Sequence, residues 1–299
     1  MQIKRIKRAV HGVLLLDKPY GFSSNQALQK VKWLYQAQKA GHTGTLDPLA
    51  TGVLPICFGE ATKFAQTLTD ENKTYVASVK FGMTTSTGDK EGAVLSETAC
   101  HVTFDAITQI LPAFQGEITQ IPPMYSALKF EGKPLYEYAR AGVELTRAPR
   151  QVHIHEIAVL SCRDNIAEIR VTCSKGTYIR TLAEDIGHAL QVGAHLVGLQ
   201  RTATATYQIA DTVTIESLET MSVEDRDALL LPVDTAIHGL PKLELHADAA
   251  YYFKQGNPVW LSGIIPAGEL RIYSEQGLFL GLGVQQSDGR IAPKRVVNL

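Results

Sequence analysis

The chain has 299 residues, 45% of them hydrophobic, and a formal net charge of −1 at pH 7, enough for one large domain or two with a fully buried core. No apolar run reaches the roughly 18 residues of a membrane helix, and Val13–Leu16, followed at once by Asp17, Lys18 and Pro19, is too short for a secretory core, so neither a membrane span nor export is expected. The four cysteines, Cys57, Cys100, Cys162 and Cys173, are scattered without a C-x-x-C. They read as reduced thiols of a cytoplasmic protein, neither a disulfide framework nor a zinc site. The near-neutral total hides a patchy distribution. Residues 1–40 carry eight Lys and Arg against one Asp, residues 121–150 five against three, and residues 202–250 two against nine acids. Local cationic excess suits phosphates; for the C-terminal tail, solvated surface charge serves equally well.

Met1–His11 is basic through Lys4, Arg5, Lys7 and Arg8 and has little order signal, as in a flexible arm over phosphates or a frayed terminus. Gly12–Leu16 reads as a buried strand. After the Asp17–Gly21 turn, Ser23 or Ser24 caps a helix to about Ala40, with Leu28, Val31 and Leu34 or Tyr35 on one face. Lys18 in that turn is either a phosphate or active-site contact or an ordinary surface lysine.

The densest stretch is Ala40–Lys63, AGHTGTLDPLATGVLPICFGEATK. Its glycines and prolines forbid regular structure through the middle, and Pro48 pushes Asp47 to an extended backbone. The loop presents one carboxylate, Asp47, among Thr43, Thr45, Thr51 and His42. An ordinary Asp-Pro turn is the bland alternative.

A short helix at Ala61–Leu68 precedes a strand at Lys73–Met83, whose Tyr75, Ala77, Val79 and Phe81 share one face. Thr84–Gly92 is a polar loop carrying Asp89, and Phe104–Phe114 is a helix ending near Pro112. In residues 121–150, Tyr125, Phe130, Tyr136 and Tyr138 alternate with Lys129, Lys133, Arg140, Arg147 and Arg150, a pattern suited to unpaired bases and phosphates. Strands at Val152–Leu160 and Ile166–Cys173 lead into CSKGTYIRTL, with Tyr178 and Arg180 at the entrance of a helix running to about Gln191. Residues 211–239 are acidic and helix-like. From Leu243, short β-rich runs at 271–273, 278–284 and 290–297 suggest a small barrel. His153 and His155 share a strand face, but no third ligand of matching spacing makes a metal site.

The string from Gly41 to Pro55, GHTGTLDPLATGVLP, closely resembles the signature of the TruB family of tRNA pseudouridine synthases. So do Leu16-Asp17-Lys18-Pro19 with Gly21-Phe22-Ser23-Ser24, the 121–150 segment, residues 173–182 and residues 193–202. The resemblance spans nearly the whole chain in order. It implies an α+β fold, a mixed, largely antiparallel sheet flanked by helices (the pseudouridine synthase fold), over residues 1–240. Within it, 121–150 would be an RNA-gripping thumb insertion, and 241–299 a small β-rich PUA-like domain.

The activity implied is isomerisation of uridine to pseudouridine at position 55 in the T-loop of tRNA. The N1–C1′ bond breaks, the flipped base turns, and it rejoins through C5. Asp47 would be the catalytic carboxylate, with Tyr75 stacked on the base, Tyr178 contacting it, Leu199 walling its pocket, and His42 wedging into the vacated space or touching the substrate. Arg180 would pair with Asp47, lowering its pKa and orienting it; Asp89 is a supporting candidate. Where the family commonly has Leu-Arg-Arg, this chain has Leu199-Gln200-Arg201, which removes a cation at position 200. Neither hydrolysis nor redox chemistry occurs, so no cofactor and no metal is expected. The expected partner is tRNA through its T-arm stem-loop, with no membrane, and the expected state is a monomer. Two other classes compete. A non-catalytic tRNA-binding or folding protein of the same fold would not need Asp47, Tyr75 and Arg180 together. A glycosidase-like enzyme would need a second acid paired with Asp47.

Overall fold

Residues Gly12–Lys18 form strand β1, buried along its length as a continuous Val-Leu-Leu-Leu run demands. The structure is a computed structural model describing residues 7–261, 263 and 266–299; Lys4 and Arg5 of the basic arm lie outside the described residues. Ser23 caps helix α1 (Ser24–Leu34) through a capping box with Gln26. The helix stops well before the expected Ala40. Tyr35 is its C-cap, and Gln36 adopts a left-handed φ of 51°. The chain beyond it pairs instead with Arg8, which donates to the Gln36 carbonyl at 2.9 Å and accepts from the Gln38 N–H at 3.1 Å. Arg8 is thus part of the fold.

The main sheet is built from β1, β2 (Ala50–Phe58), β3 (Lys73–Phe81), β4 (Gly116–Gln120), β5 (Arg150–Arg163), β6 (Ile166–Cys173) and β7 (Ala194–Thr204). Its order is β1-β2-β7-β3-β6-β5-β4, with the short strands Ala40–His42 and Tyr207–Gln208 making nine among the described residues. Every pairing in it is antiparallel except that of β7 with β2. The expected mixed, largely antiparallel sheet is therefore observed. β3 alternates as its sequence predicts, with Tyr75, Ala77, Val79 and Phe81 buried beneath helix α2 (Ile179–Ala189), whose Leu182 and Ile186 share their core. On the other flank, α1 covers β1 and β2 with Leu28, Val31 and Leu34.

Two expected helices take tighter forms. Residues Gly59–Phe64 are 3₁₀ before the α-helical turn Ala65–Asp70, and Phe104–Ile110 gives way at Pro112 to a 3₁₀ turn. A second sheet, in the order β8-β9-β10-β11, comprises Lys242–Leu245 (β8), Glu269–Ser274 (β9), Phe279–Gln285 (β10) and Ile291–Val296 (β11). Helix α3 (Ala247–Lys254), absent from the sequence reading, closes one face through Phe253 against Leu270, Ile272 and Leu280. The other face packs Tyr273, Phe279 and Leu282 against Phe64, Val233 and Ile237 of the main body, with the rings of Phe64 and Phe279 5.8 Å apart. No helix of the described residues is long and apolar enough to cross a membrane.

Candidate active site

The Gly-Pro loop before β2 is pinned at both sides of Asp47. Leu46 and Leu49 are buried. Ser24, buried in the first turn of α1, accepts a hydrogen bond from the Leu46 N–H at 2.8 Å and donates its hydroxyl to the Leu46 carbonyl at 3.0 Å. The Asp47 carbonyl accepts from Ala50 N–H at 3.0 Å, and Gly21 N–H donates to the Pro48 carbonyl at 2.9 Å. The two serines thus divide the work: Ser23 caps the helix and Ser24 holds the loop.

Asp47 faces a cavity of about 590 Å³ that Tyr75, Tyr178, Arg180 and Leu199 also line. The entrance of α2 is fixed by Gln120, whose side chain accepts from Tyr178 N–H at 3.0 Å and donates to the Tyr178 carbonyl at 3.2 Å. This sets the next turn of α2 against the Asp47 loop. Arg180, with a side chain only 7% exposed, approaches Asp47 to 2.9 Å and Asp89 to 3.7 Å. It also donates to the Thr87 carbonyl at 3.1 Å and the Tyr125 carbonyl at 2.7 Å. Asp89 is buried and held by the Thr87 hydroxyl at 2.6 Å and the Glu91 N–H at 3.1 Å.

Arg180 was expected to bring the Asp47 pKa below its ordinary value. The net direction is the reverse. Burial raises it most, and Arg180, which lowers it, does not fully compensate; the charge of Asp89 adds to the rise.

The other expected residues divide. His42 is half-buried in the short strand beside β2, off the cavity wall, and its Nδ1 has no partner among the described residues; burial and then Arg201 push its pKa down. Lys18 is fully buried, which rules out a surface lysine. Its ammonium donates to the carbonyls of Pro19 at 2.9 Å and Phe22 at 2.5 Å. Burial lowers its pKa to about 8, with Asp47 pulling the other way.

Two cations escaped the sequence reading as site residues. Lys73 is buried and donates to the carbonyls of Thr69 at 2.6 Å and Glu71 at 2.5 Å, at the C-terminal end of a helical turn. Arg201 is fully buried at the cavity wall. A lone lysine opening a strand gave no signal. Arg201 stood inside a noted motif, but nothing local distinguished it.

Residues 32–179 match the family model described as TruB family pseudouridylate synthase (N terminal domain). Residues 180–238 match tRNA pseudouridylate synthase B C-terminal domain, and 241–297 match Pseudouridine synthase II TruB, C-terminal. Over 297 residues the chain is 58% identical to the tRNA pseudouridine synthase B of Methylobacillus flagellatus, covering 99% of this chain and 98% of that one. The chain belongs to the TruB family of pseudouridine synthases. It is an isomerase. A second TruB relative, from Stutzerimonas stutzeri, is 50% identical over 300 residues, 99% of this chain and 98% of that one. Among solved structures, an H/ACA RNP bound to a substrate RNA containing 2′-deoxyuridine contains a similar chain. Its TM-score is 0.72 at 25% identity, over 97% of this chain and 86% of that one. A Cbf5-Nop10-Gar1 complex contains another, with TM-score 0.71 at 27% identity over 96% and 84%.

In this TruB chain two cations of the basic N-terminal segment are paired within the protein. Arg8 pairs with Asp227 at 2.5 Å and Lys30 with Glu219, both acids from the 211–239 stretch. In the 121–150 segment, Lys133 lies 4.8 Å from the Tyr138 ring centroid and Arg140 5.4 Å from that of Tyr136, so two of the interleaved cations pair with aromatics of the same segment. The segment is a small hairpin, Lys129–Phe130 with Lys133–Pro134, and a short helix, Leu135–Arg140, anchored by buried Leu135.

Proposed function

We propose that this chain converts the uridine at position 55 of the tRNA T-loop to pseudouridine, with Asp47 as the reacting carboxylate. The observation that carries this reading is the Asp47–Arg180 pair, 2.9 Å apart in a cavity also lined by Tyr75, Tyr178 and Leu199. The cavity lies within the usual range of about 300–1,000 Å³ for small-molecule sites. A uridine inside a folded loop must first leave its stack, at a cost of a few kcal/mol. Tyr75, Tyr178 and Leu199 then offer it two aromatic rings and an apolar wall. The ionised carboxylate serves each chemical route: addition to C6, attack on C1′, or removal of the 2′ proton. In all of them the N1–C1′ bond breaks, the base turns, C1′ bonds to C5, the C5 proton leaves and N1 takes one up. No atom is gained or lost overall.

The relatives named as tRNA pseudouridine synthases support tRNA as the substrate. Residues 1–240 act as the catalytic body, 121–150 as a thumb against the T-arm, and 241–299 as a PUA-like RNA-binding module. The free cysteines fit a cytoplasmic location.

The test is pseudouridine formation on an unmodified T-arm stem-loop RNA, wild type beside Asp47→Asn. Product at the T-loop uridine from the wild type and none from the variant is the expected result. Tight binding without product from either protein would favour a non-catalytic tRNA-binding or folding role and overturn the proposal.

A further inference from the structure

The one parallel pairing of the main sheet sets Arg201 of β7 in register with Gly52 of β2, just past the loop that presents Asp47. The approach is close. A Cβ at Gly52, where φ is +99°, would stand 2.2 Å from the Arg201 carbonyl oxygen. The Arg201 side chain then turns in under the loop. Its Nε donates to the Val53 carbonyl at 2.6 Å and Nη2 to the Gly44 carbonyl at 3.1 Å. Gly44 and Val53 bracket Asp47. A single planar guanidinium therefore ties the two ends of the loop together, and its fixed fork suits two acceptors held at a set angle. The Tyr75 hydroxyl interacts with the same guanidinium. Arg201 is fully buried, and no carboxylate of the described residues pairs with it. A buried cation without a counter-charge is costly to keep, so its role lies in what its donors hold.

We propose that Arg201 is a positioning residue for the isomerisation, a clamp that closes the Gly44–Val53 loop and fixes where the Asp47 carboxylate stands. The inference rests on Asp47 being the reacting group. Its consequence is kinetic. A loop released at Gly44 still binds RNA through the cavity walls but presents the carboxylate out of line, and misplacement by about 1 Å costs on the order of 100-fold in rate.

The test is single-turnover pseudouridine formation on the T-arm stem-loop RNA over a range of excess enzyme, which separates the maximal rate from RNA affinity. Arg201→Lys keeps the charge and loses the fork. Gly44→Ala reaches the same contact from the other side, since a Cβ there would stand 3.0 Å from Arg201 Nη1 at a φ of +72°; it carries the test if Arg201→Lys does not fold. Phe58→Leu, in the buried far end of β2, is the control for lost stability alone. The expected result is about a 100-fold lower maximal rate in the Arg201 and Gly44 variants with RNA affinity within threefold of wild type. Phe58→Leu lowers Tm and keeps the rate. A folded Arg201→Lys and a folded Gly44→Ala that both turn over within threefold of wild type overturn the clamp. So does a Phe58→Leu that slows as much at an equal loss of Tm. Asp47→Asn run alongside keeps the two readings apart: if it stays active the proposed chemistry fails, and if it is inactive while the clamp variants are not, only the clamp fails.

Discussion

Replacing Arg180 by methionine tests how the site sets the ionisation of Asp47. The side chain is 7% exposed and faces two carboxylates and two carbonyls. Breaking a buried ion pair by removing one partner costs about 3–5 kcal/mol. The lower end applies here. The Asp47 side chain, 39% exposed, opens on the cavity and can be rehydrated, and Asp89 keeps its bonds from Thr87 and Glu91. About 3 kcal/mol corresponds to a Tm loss of roughly 6–12 °C in a chain of this size. The kinetic effect has a defined sign. In the proposed reaction Asp47 acts as the anion; its pKa already lies above the ordinary value, and Arg180 is the largest influence holding it down. Without Arg180 the neutral form persists to higher pH. The rising limb of the single-turnover rate, tenfold per pH unit while Asp47 is mostly protonated, should move to the alkaline side of the wild-type limb. Arg180→Lys, which keeps a charge, should move it less. The assay is the rate profile between about pH 5 and 9 on the T-arm stem-loop RNA. A limb that stays in place, with the rate lowered equally at every pH, would refute the assignment of Arg180 as the control on Asp47 ionisation.

Glu184 lies near Arg180 and Asp89, and burial followed by the charge of Asp185 raises its pKa to about 7. The folded state therefore favours its neutral form, and stability is lost as pH rises from the unfolded value near 4.5 towards 7; Glu184→Gln should raise stability by about 1–3 kcal/mol above pH 7 and leave it unchanged at pH 4, read by thermal melts at both. Gly52→Ala must place a methyl group against the Arg201 carbonyl at a left-handed φ, so it should cost at least about 3 kcal/mol and remove most soluble protein; a Tm within 2 °C of wild type would contradict that packing. Arg8→Ala breaks an ion pair whose side chains are 33% and 39% exposed and should cost about 1 kcal/mol or less. It should leave the salt dependence of RNA binding unchanged, whereas Arg150→Gln, at an exposed position lining the cavity, should reduce the slope of log K against log salt by about 0.7–0.9.

Period and punctuation made the sheet legible. β3 alternates as written and β1 is buried as its unbroken apolar run requires, but the glycines and prolines of 40–63 do not exclude a strand: Ala50–Phe58, with Gly52 and Pro55 inside it, is buried and paired on both sides, and only residues 43–49 remain as loop. What escaped is what depends on partners distant in the chain. The end of α1 is set by Arg8 pairing with residues 36–38, and no local breaker announces it. Lys18 stays open in sequence between a functional contact and a surface lysine until its ammonium is seen folded back on the Pro19 and Phe22 carbonyls. For Asp47 the partner was legible and the balance was not: Arg180 pairs with it as expected, but the depth of the cavity outweighs the pairing. Arg201 was visible only as a neighbour of Leu199. Its place follows from the parallel pairing of β7 with β2, which no periodicity reveals.

The charge distribution yields to the same argument. Read along the chain, the cationic first 40 residues look like the phosphate footprint and the acidic 202–250 stretch looks like a liability. In the fold the two meet, through Arg8–Asp227 and Lys30–Glu219, so part of that cationic excess is paired within the protein. What remains near Asp47 is smaller and better placed. Arg150 and Lys175 line the cavity as exposed residues, the latter paired with Asp70 at 3.1 Å, while Lys73 and Arg201 are buried in its wall and committed to backbone carbonyls. For a chain of net charge −1, the cations that bear on the proposed RNA binding are therefore the few that stand around the cavity, since local field and not net charge acts on a polyanion at one site.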